Sequence, residues 1–138
     1  MKILIIDGHG GGLGAQLVAA VTKNFPHFMI RAVGTNSTAT VAMIKAGAKE
    51  AATGENAAVV GALWADVIVG PVGIVIADAM LGEITQRMAV AIGKSNAQRI
   101  FVPLNQCDNI IIGTANLPVV RLVQNVVDVL SGMAGEIV

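Results

Sequence analysis

The chain has no tyrosine, a single cysteine and few charged residues. The lone cysteine, Cys107, excludes an intramolecular disulfide and fits a reducing cytoplasm. The formal net charge is zero and no basic stripe is present, which argues against nucleic acid as a partner. The aromatic side chains are Phe25, Phe28, Trp64 and Phe101. Stacking platforms for single-stranded nucleic acid are therefore almost absent.

Long hydrophobic runs are also missing. The longest, residues 67–77, falls far short of the roughly 20 residues that span a bilayer, and it contains Gly70, Pro71 and Gly73. Met1 and Lys2 lead directly into a strand-like run without a small-residue cleavage site. We therefore expect no membrane span and no signal peptide, and we expect a cytoplasmic protein.

The composition is otherwise strongly apolar. Hydrophobic residues make up 54% of the chain and charged residues 13%, against roughly 25% charged residues in an ordinary globular domain. Such a chain has too few polar side chains to cover its surface, and the usual remedy is a subunit interface. We expect a homo-oligomer built from a single domain over residues 1–138, which is long enough to bury a core.

Strand-like apolar runs alternate with helical patterns along the chain, which predicts a parallel sheet with helices on its faces. The predicted strands lie near residues 3–6, 28–33, 49–52, 66–69, 99–102 and 109–112. We predict an α/β fold, a Rossmann-like three-layer sandwich with a mostly parallel sheet of about five or six strands. The last predicted helix is the clearest, because apolar and polar residues separate onto two faces after Val119.

The most informative feature is a glycine-rich segment that follows the first strand and opens the first helix. Its residues are Gly8, His9, Gly10, Gly11, Gly12, Leu13 and Gly14. Glycines at such a turn let backbone N–H groups approach a phosphate, and the helix N-terminus adds partial positive charge. Five glycines in seven residues exceed what a tight turn needs. The segment therefore favours phosphate binding over a plain turn.

Two spacings can be read from this segment. Gly10-x-Gly12-x-x-Ala15 fits the general dinucleotide fingerprint. Gly8-x-x-x-Gly12-Leu13-Gly14 resembles the cofactor loop of the short-chain dehydrogenase/reductase group, and this resemblance implies a pyrophosphate over the turn. The resemblance ends with the first helix. Those enzymes use a Tyr as their acid–base group, and this chain has none.

The end of the second strand normally distinguishes NAD from NADP, because an acid there binds the ribose hydroxyls of NAD. This chain has Thr35, Asn36 and Ser37 at that place and no acid. These groups could contact a 2′-phosphate, with Arg31 or Lys45 supplying charge, which favours NADP over NAD as the expected cofactor. The alternative is that Asn36 and Ser37 cap the second helix.

Further candidate residues lie in other predicted strand-end loops. Gly70, Pro71, Val72 and Gly73 could approach the other half of a dinucleotide, or could form a tight turn into a helix. The candidate catalytic residues are His9, Asp78, Glu83 and Cys107. Each also has an ordinary structural explanation, such as an exposed loop histidine or an unreactive thiol. No His, Cys and Asp cluster has metal-ligand spacing, so no metal site is expected.

Over nearly the whole chain, five segments resemble a small bacterial family catalogued as a domain of unknown function, number 3842. The segments are residues 7–14, 34–37, 52–56, 70–73 and 81–85. The resemblance implies a Rossmann-like fold and a bacterial cytoplasmic setting. We expect a nucleotide-binding protein with a sensing or regulatory role. The alternative is a small oligomeric enzyme whose site is completed across a subunit interface, not a Tyr-dependent dehydrogenase.

Overall fold

The computed structural model describes residues 1–104 and 108–137, and the strands in these residues form one parallel sheet. The strands are Lys2–Asp7 (β1), Met29–Gly34 (β2), Glu50–Thr53 (β3), Val67–Pro71 (β4) and Gln98–Val102 (β5). Their order is β3-β2-β1-β4-β5, and every neighbouring pair is parallel. The predicted α/β fold with a Rossmann-like parallel sheet is confirmed.

Helices cover both faces of the sheet. They are Gly12–Asn24 (α1), Ser37–Lys45 (α2), Glu55–Trp64 (α3), Gln86–Lys94 (α4) and Val119–Ile137 (α5). A short 3-10 helix, Val72–Val75, follows β4. Side chains of α1, α2 and α5 pack in one core cluster, and those of α3 and α4 pack in the other. The sheet is therefore the middle of three layers.

The helices on both faces of the sheet explain the continuous apolar run of β1. Ile3 and Ile5 point into the cluster beneath α1 and α5, whereas Leu4 and Ile6 point into the cluster beneath α3 and α4. All four side chains are fully buried. A strand with helices on both faces needs apolar residues at every position, because successive side chains alternate between the two faces.

Helix periodicity predicted the buried faces of the first and last helices well. The buried side chains on and just after α1 are Leu13, Leu17, Val18, Val21 and Phe25. Those of α5 are Leu122, Val123, Val126, Val127 and Leu130. Both sets follow the spacing of a stripe on one helix face, and the two helices pack against each other over the sheet.

The prediction of a sixth strand at residues 109–112 is wrong. This stretch has neither helix nor strand, and Ile110 and Ile112 are 87% and 90% exposed. It lies between Asp108 and Gly113, both of which have a left-handed backbone with φ of 58° and 88°. An extended strand does not pass through that conformation. In the described residues, no helix is long and apolar enough to cross a membrane.

The strand order creates a crevice at the carboxyl edge of the sheet. From β1 the chain proceeds to β2 and β3 on one side, and then returns to β4 and β5 on the other. The connections after β1 and β4 therefore diverge to opposite faces. Ligands of open parallel sheets bind at such a switch point, outside the carboxyl ends of the strands.

Candidate functional site

The glycine turn, residues 8–11, lies at this crevice and joins β1 to α1. Gly11 has a left-handed backbone with φ 73°, and its N–H donates to the Gly8 carbonyl over 2.9 Å. The buried Asp7 carboxylate accepts from the N–H groups of Gly8 at 2.8 Å and Gly14 at 2.7 Å. Burial raises the pKa of Asp7, and the hydrogen bonds from Gly14 and Gly8 counteract that rise. Asp7 thereby ties the end of the strand to the first turn of the helix.

The glycines of this segment have two kinds of surroundings. A Cβ on Gly8 or Gly14 would lie 2.7 Å from a neighbouring side-chain atom, and Gly11 has a positive φ. Among the described residues, a Cβ on Gly10 or Gly12 would meet no atom within 4 Å. Contacts within the chain therefore explain three of these glycines. At Gly10 and Gly12 they give no reason for the absence of a side chain.

The first turn of α1 has backbone donors that the protein leaves open. The N–H of Gly14 is taken by Asp7. Within residues 1–104 and 108–137, the N–H groups of Gly12 and Leu13 have no protein acceptor. Helix N-termini with open N–H groups bind anions, because the donors and the helix dipole act in the same direction.

A cavity of about 150 Å³ lies at these open donors. It is lined by Asp7, Gly8, His9, Gly12, Leu13, Pro71, Met80 and Leu104. The residues come from the ends of β1 and β4, from the start of α1 and from the segments after β4 and β5. The cavity thus occupies the switch point of the sheet.

The second glycine-rich segment, residues 70–73, contributes less to this cavity. Pro71 lines it. A Cβ on Gly70 would lie 2.5 Å from the Ile6 carbonyl oxygen, so this glycine allows β4 to approach β1 closely. Gly73 is buried, and Val72 begins the 3-10 helix with its side chain partly exposed. The predicted contact of all four residues with a dinucleotide stays a prediction.

Glu83 lies on the opposite side of the glycine turn, facing β2. Its Oε1 accepts from the His9 N–H at 3.1 Å, from Thr35 Oγ1 at 2.6 Å and from Asn36 Nδ2 at 2.6 Å. Its Oε2 lies 3.4 Å from His9 Nδ1. Burial alone would raise the pKa of Glu83. The pKa is nevertheless lowered overall, because hydrogen bonds from Thr35, Asn36 and the His9 backbone stabilise the ionised form.

The end of β2 is therefore engaged with protein partners. Asn36 also caps α2, because its Oδ1 accepts the Ala39 N–H at 2.9 Å, and Ser37 is the first residue of that helix. This is the structural alternative that the sequence left open. Arg31 contacts Glu50 at 3.1 Å, and its guanidinium carbon lies 4.1 Å from the centre of the Trp64 ring. Three of the groups expected to bind a 2′-phosphate, those of Thr35, Asn36 and Arg31, thus contact neighbours. Ser37 and Lys45 are exposed, and their contact with a 2′-phosphate stays a prediction.

The remaining candidate residues are placed differently. Asp78 has an exposed side chain, and its backbone N–H donates to the Ile84 carbonyl at 2.7 Å. Cys107 lies outside the described residues. His9, with a left-handed φ of 49°, lines the cavity and is half exposed. In the described parts of the chain, no three His, Cys, Asp or Glu residues are grouped so that they could hold a metal ion.

A larger cavity of about 350 Å³ adjoins the small one, since Leu104 lines both. It lies between the end of β5 and the start of α5. Its other lining residues are Pro103, Asn109, Ile110, Ile111, Thr114, Ala115, Asn116, Leu117 and Leu122. Apolar walls with a few amide and hydroxyl groups are typical of sites for small organic ligands. Sequence analysis missed the lining residues at 109–117, because they belong to no glycine motif and residues 109–112 were expected to form a strand.

Comparison with known proteins supports the resemblance that the sequence indicates. The family model described as Domain of unknown function (DUF3842) matches residues 2–134. The chain belongs to this family. No curated protein matches the chain. Among solved structures, it is similar to a dodecameric FMN-dependent UbiX-like decarboxylase from Escherichia coli O157:H7, with 18% identity and a TM-score of 0.47. The alignment covers 97% of this chain and 76% of that one. The likeness of the glycine segment to the short-chain dehydrogenase loop stays a prediction.

Proposed function

We propose that this protein binds a ligand of mononucleotide size through a phosphate group at the glycine turn. The observation that carries the proposal is the surroundings of Gly12. Its missing side chain leaves open space beside the small cavity, and within the described residues its N–H and that of Leu13 have no acceptor. A phosphate in the cavity would accept from both groups at the positive end of the α1 dipole.

The sizes of the two adjoining cavities support this ligand class. The small cavity, at about 150 Å³, suits a phosphate group and is below the roughly 300–1,000 Å³ typical of sites for whole small molecules. With the adjoining cavity of about 350 Å³ included, the site falls within that range. A flat ring there would contact Ile111 and Leu117, and the amide of Asn116 would supply hydrogen bonds.

The charge around the cavity limits the affinity. The carboxylates of Asp7 and Glu83 oppose an anion, although each already accepts hydrogen bonds from the protein. A protonated His9 would contribute a positive charge from the rim of the cavity. We therefore expect weak binding, with a Kd on the order of 0.1–1 mM for a mononucleotide, which corresponds to about 4–5.5 kcal/mol.

From the glycine spacing, the more specific expectation is that the ligand is NADP or NAD. An extended dinucleotide would need contacts on the β2 side of the turn as well as on the β4 side. On the β2 side, Thr35 and Asn36 already donate to Glu83. We therefore propose a mononucleotide as the first ligand class, and the binding test includes the dinucleotides. Ligand binding of this kind fits a sensing or regulatory role.

The proposal is tested by isothermal titration calorimetry with inorganic phosphate, AMP, FMN, NAD and NADP. We expect the Gly12→Ala variant to lower mononucleotide affinity about tenfold, because the new methyl group fills the space beside the open donors. Gly93→Ala is the matched control, since a Cβ on this α4 glycine also meets no atom within 4 Å. A wild-type protein that binds none of these compounds at millimolar concentration overturns the proposal.

A second candidate function is acid–base catalysis on the bound ligand. The observation that favours it is the contact between His9 Nδ1 and Glu83 Oε2 at 3.4 Å, because a carboxylate beside an imidazole is a common arrangement for proton transfer. Incubation with phosphorylated compounds, followed by ³¹P NMR, would detect turnover. His9→Asn should abolish it, since Asn tolerates the left-handed backbone but does not titrate. Equal turnover in both proteins contradicts this role.

We also propose that copies of the chain associate through the uncharged stretch 109–120. Ile110, Ile112 and Val120 are 75% exposed or more, and no residue in this stretch is charged. An uncharged apolar surface is complementary to itself, and burying it in a second copy is the usual remedy. Native mass spectrometry should show a homo-oligomer that Ile112→Lys with Val120→Lys dissociates. A monomeric wild-type protein contradicts this proposal.

A further inference from the structure

The Glu83 carboxylate occupies a position where donors from separate segments converge. Its Oε1 accepts from the backbone of the glycine turn at His9, and from the side chains of Thr35 and Asn36 beyond β2. One carboxylate oxygen has two lone pairs, so three donors exceed the number that it accepts with good geometry. Converging backbone and side-chain donors of this kind are also the means by which proteins bind phosphate oxygens.

We propose that Glu83 occupies a second anion position beside the glycine turn, and that it restricts the site to ligands that place one phosphate group there. This inference rests on the proposed function, because it concerns which phosphate-bearing ligands the same site accepts. Glu83 is in this sense a specificity-determining residue.

The two anion positions are close neighbours. Glu83 Oε1 lies 3.3 Å from the point where a Cβ on Gly8 would stand, and both Gly8 and His9 line the cavity proposed for the phosphate. A ligand with two adjacent phosphate groups would bring the second group against the carboxylate. Two like charges beside each other repel, and the two groups would also compete for the same donors.

The segment that carries Glu83 has a backbone conformation suited to inserting this side chain. Asp78, Met80 and Leu81 have left-handed φ angles of 65°, 57° and 57°, and Gly82 has φ 91°. Turn hydrogen bonds stabilise this path, including Glu83 N–H to the Met80 carbonyl at 3.1 Å. Non-glycine residues adopt such angles at a cost, so they persist where the surroundings determine them. Leu81 is 97% exposed, whereas Met80 and Ile84 are buried, so core packing and the hydrogen bonds of Glu83 together hold this segment beside the turn.

Removing the carboxylate would leave the three donors without this acceptor. The His9 N–H and the Thr35 hydroxyl would then face a space that a phosphate group can enter. The Asn36 amide would face the same space and would keep its second hydrogen bond, to the His9 carbonyl at 2.9 Å. A pyrophosphate or a dinucleotide would satisfy them and regain the hydrogen bonds that Glu83 now makes. We therefore expect truncation of Glu83 to change the ligand preference of the site and not merely to weaken it.

The test compares wild type with Glu83→Ala by calorimetry, using inorganic phosphate, AMP, inorganic pyrophosphate and NAD. The expected result is that the affinity ratio of pyrophosphate to phosphate, and that of NAD to AMP, rises about tenfold or more in the variant. Asp78→Asn is the matched control, because it removes one negative charge from the same segment at an exposed side chain. Asp78→Asn should leave both ratios unchanged.

The possible outcomes separate this inference from the proposed function. Wild-type binding of AMP with unchanged ratios in Glu83→Ala overturns the role of Glu83 alone. A variant that binds NAD while the wild type binds nothing supports that role and contradicts the proposed function. Absence of binding in both proteins overturns both. If Glu83→Ala does not fold, Glu83→Gln keeps the side-chain volume and removes the charge, so its ratios should rise by a smaller factor. Unchanged ratios in Glu83→Gln would then count against the inference.

Discussion

The ends of β1 and β4 are both rich in glycine, but their glycines have different structural roles. A Cβ on Gly70 would lie 2.5 Å from the Ile6 carbonyl oxygen and 2.9 Å from Ile74 Cδ1. A Cβ on Gly12 would meet no atom of the described residues within 4 Å, although Gly12 lines the cavity at the switch point. Glycine density alone therefore does not identify a ligand site. The distinction lies in what an added side chain would meet.

Gly70→Ala is expected to have the largest effect on the stability of the fold. The nearest atom is a backbone oxygen in the central strand, which cannot rotate away as a side chain can. We expect the free energy of unfolding to fall by about 3 kcal/mol, at the upper end of ordinary overpacking. Urea unfolding at pH 7 measures the loss, and Gly93→Ala in α4 is the control. A loss below about 1 kcal/mol would show that β4 has room to move.

The β1 side is predicted to depend on a charge in addition to the close packing at Gly8, Gly11 and Gly14. Asp7 accepts two N–H groups, one on each carboxylate oxygen. Asp7→Asn keeps one acceptor and turns an NH₂ group towards a second donor, so one buried N–H loses its partner. We expect a loss of about 2 kcal/mol in the free energy of unfolding. A variant as stable as wild type would show that the turn forms without this link.

Much of this architecture can be predicted from the sequence, because it depends on repeated local patterns. The apolar run of β1 and the stripe on α1 each involve several residues, so tertiary contacts seldom override them. The predicted strand at 109–112 is absent. Ile110 and Ile112 are exposed, and the run is flanked by Asp108 and Gly113, whose left-handed conformations the apolar run does not reveal. Composition and periodicity do not report such local backbone angles.

The candidate site is less predictable, since it is assembled from segments far apart in sequence. Glu83 is among the candidate catalytic residues from the sequence, but nothing in the sequence indicates that it meets Thr35 and Asn36, almost fifty residues earlier. The absence of an acid after β2 was read as a preference for NADP. The structure places an acid there from the segment between β4 and α4, so local motifs describe only part of the site.

Glu83→Gln should show a smaller and pH-dependent effect. The folded-state pKa of Glu83 is lowered, so its ionised form stabilises the fold above the ordinary Glu range, and this contribution is lost as pH falls through the folded pKa. We expect the free energy of unfolding of the wild type to exceed that of the variant by about 1 kcal/mol at pH 7. The difference should shrink below about pH 4. Urea unfolding across this range, with Asp78→Asn as the control, measures it. A stability difference between the two proteins that does not change with pH contradicts the lowered pKa of Glu83.

The smallest effect on stability is expected for Gly12→Ala, which completes the comparison with Gly70→Ala. Because a Cβ at Gly12 meets open space, the free energy of unfolding should change by less than about 0.5 kcal/mol, and alanine at a helical position can even stabilise. Mononucleotide affinity should nevertheless fall about tenfold. Thermal unfolding and calorimetry on the same preparation test both expectations.

The combination of results at Gly12 is more informative than either alone. Loss of binding with unchanged stability is what a ligand-facing glycine predicts, because no described residue fills the space beside it and the ligand needs that space. Loss of both would mean that Gly12 is required for the fold, as we expect for Gly70. Retention of both would remove the support that the open space at Gly12 gives to a phosphate site. The start of α1 would then resemble the end of β4, where close packing explains Gly70.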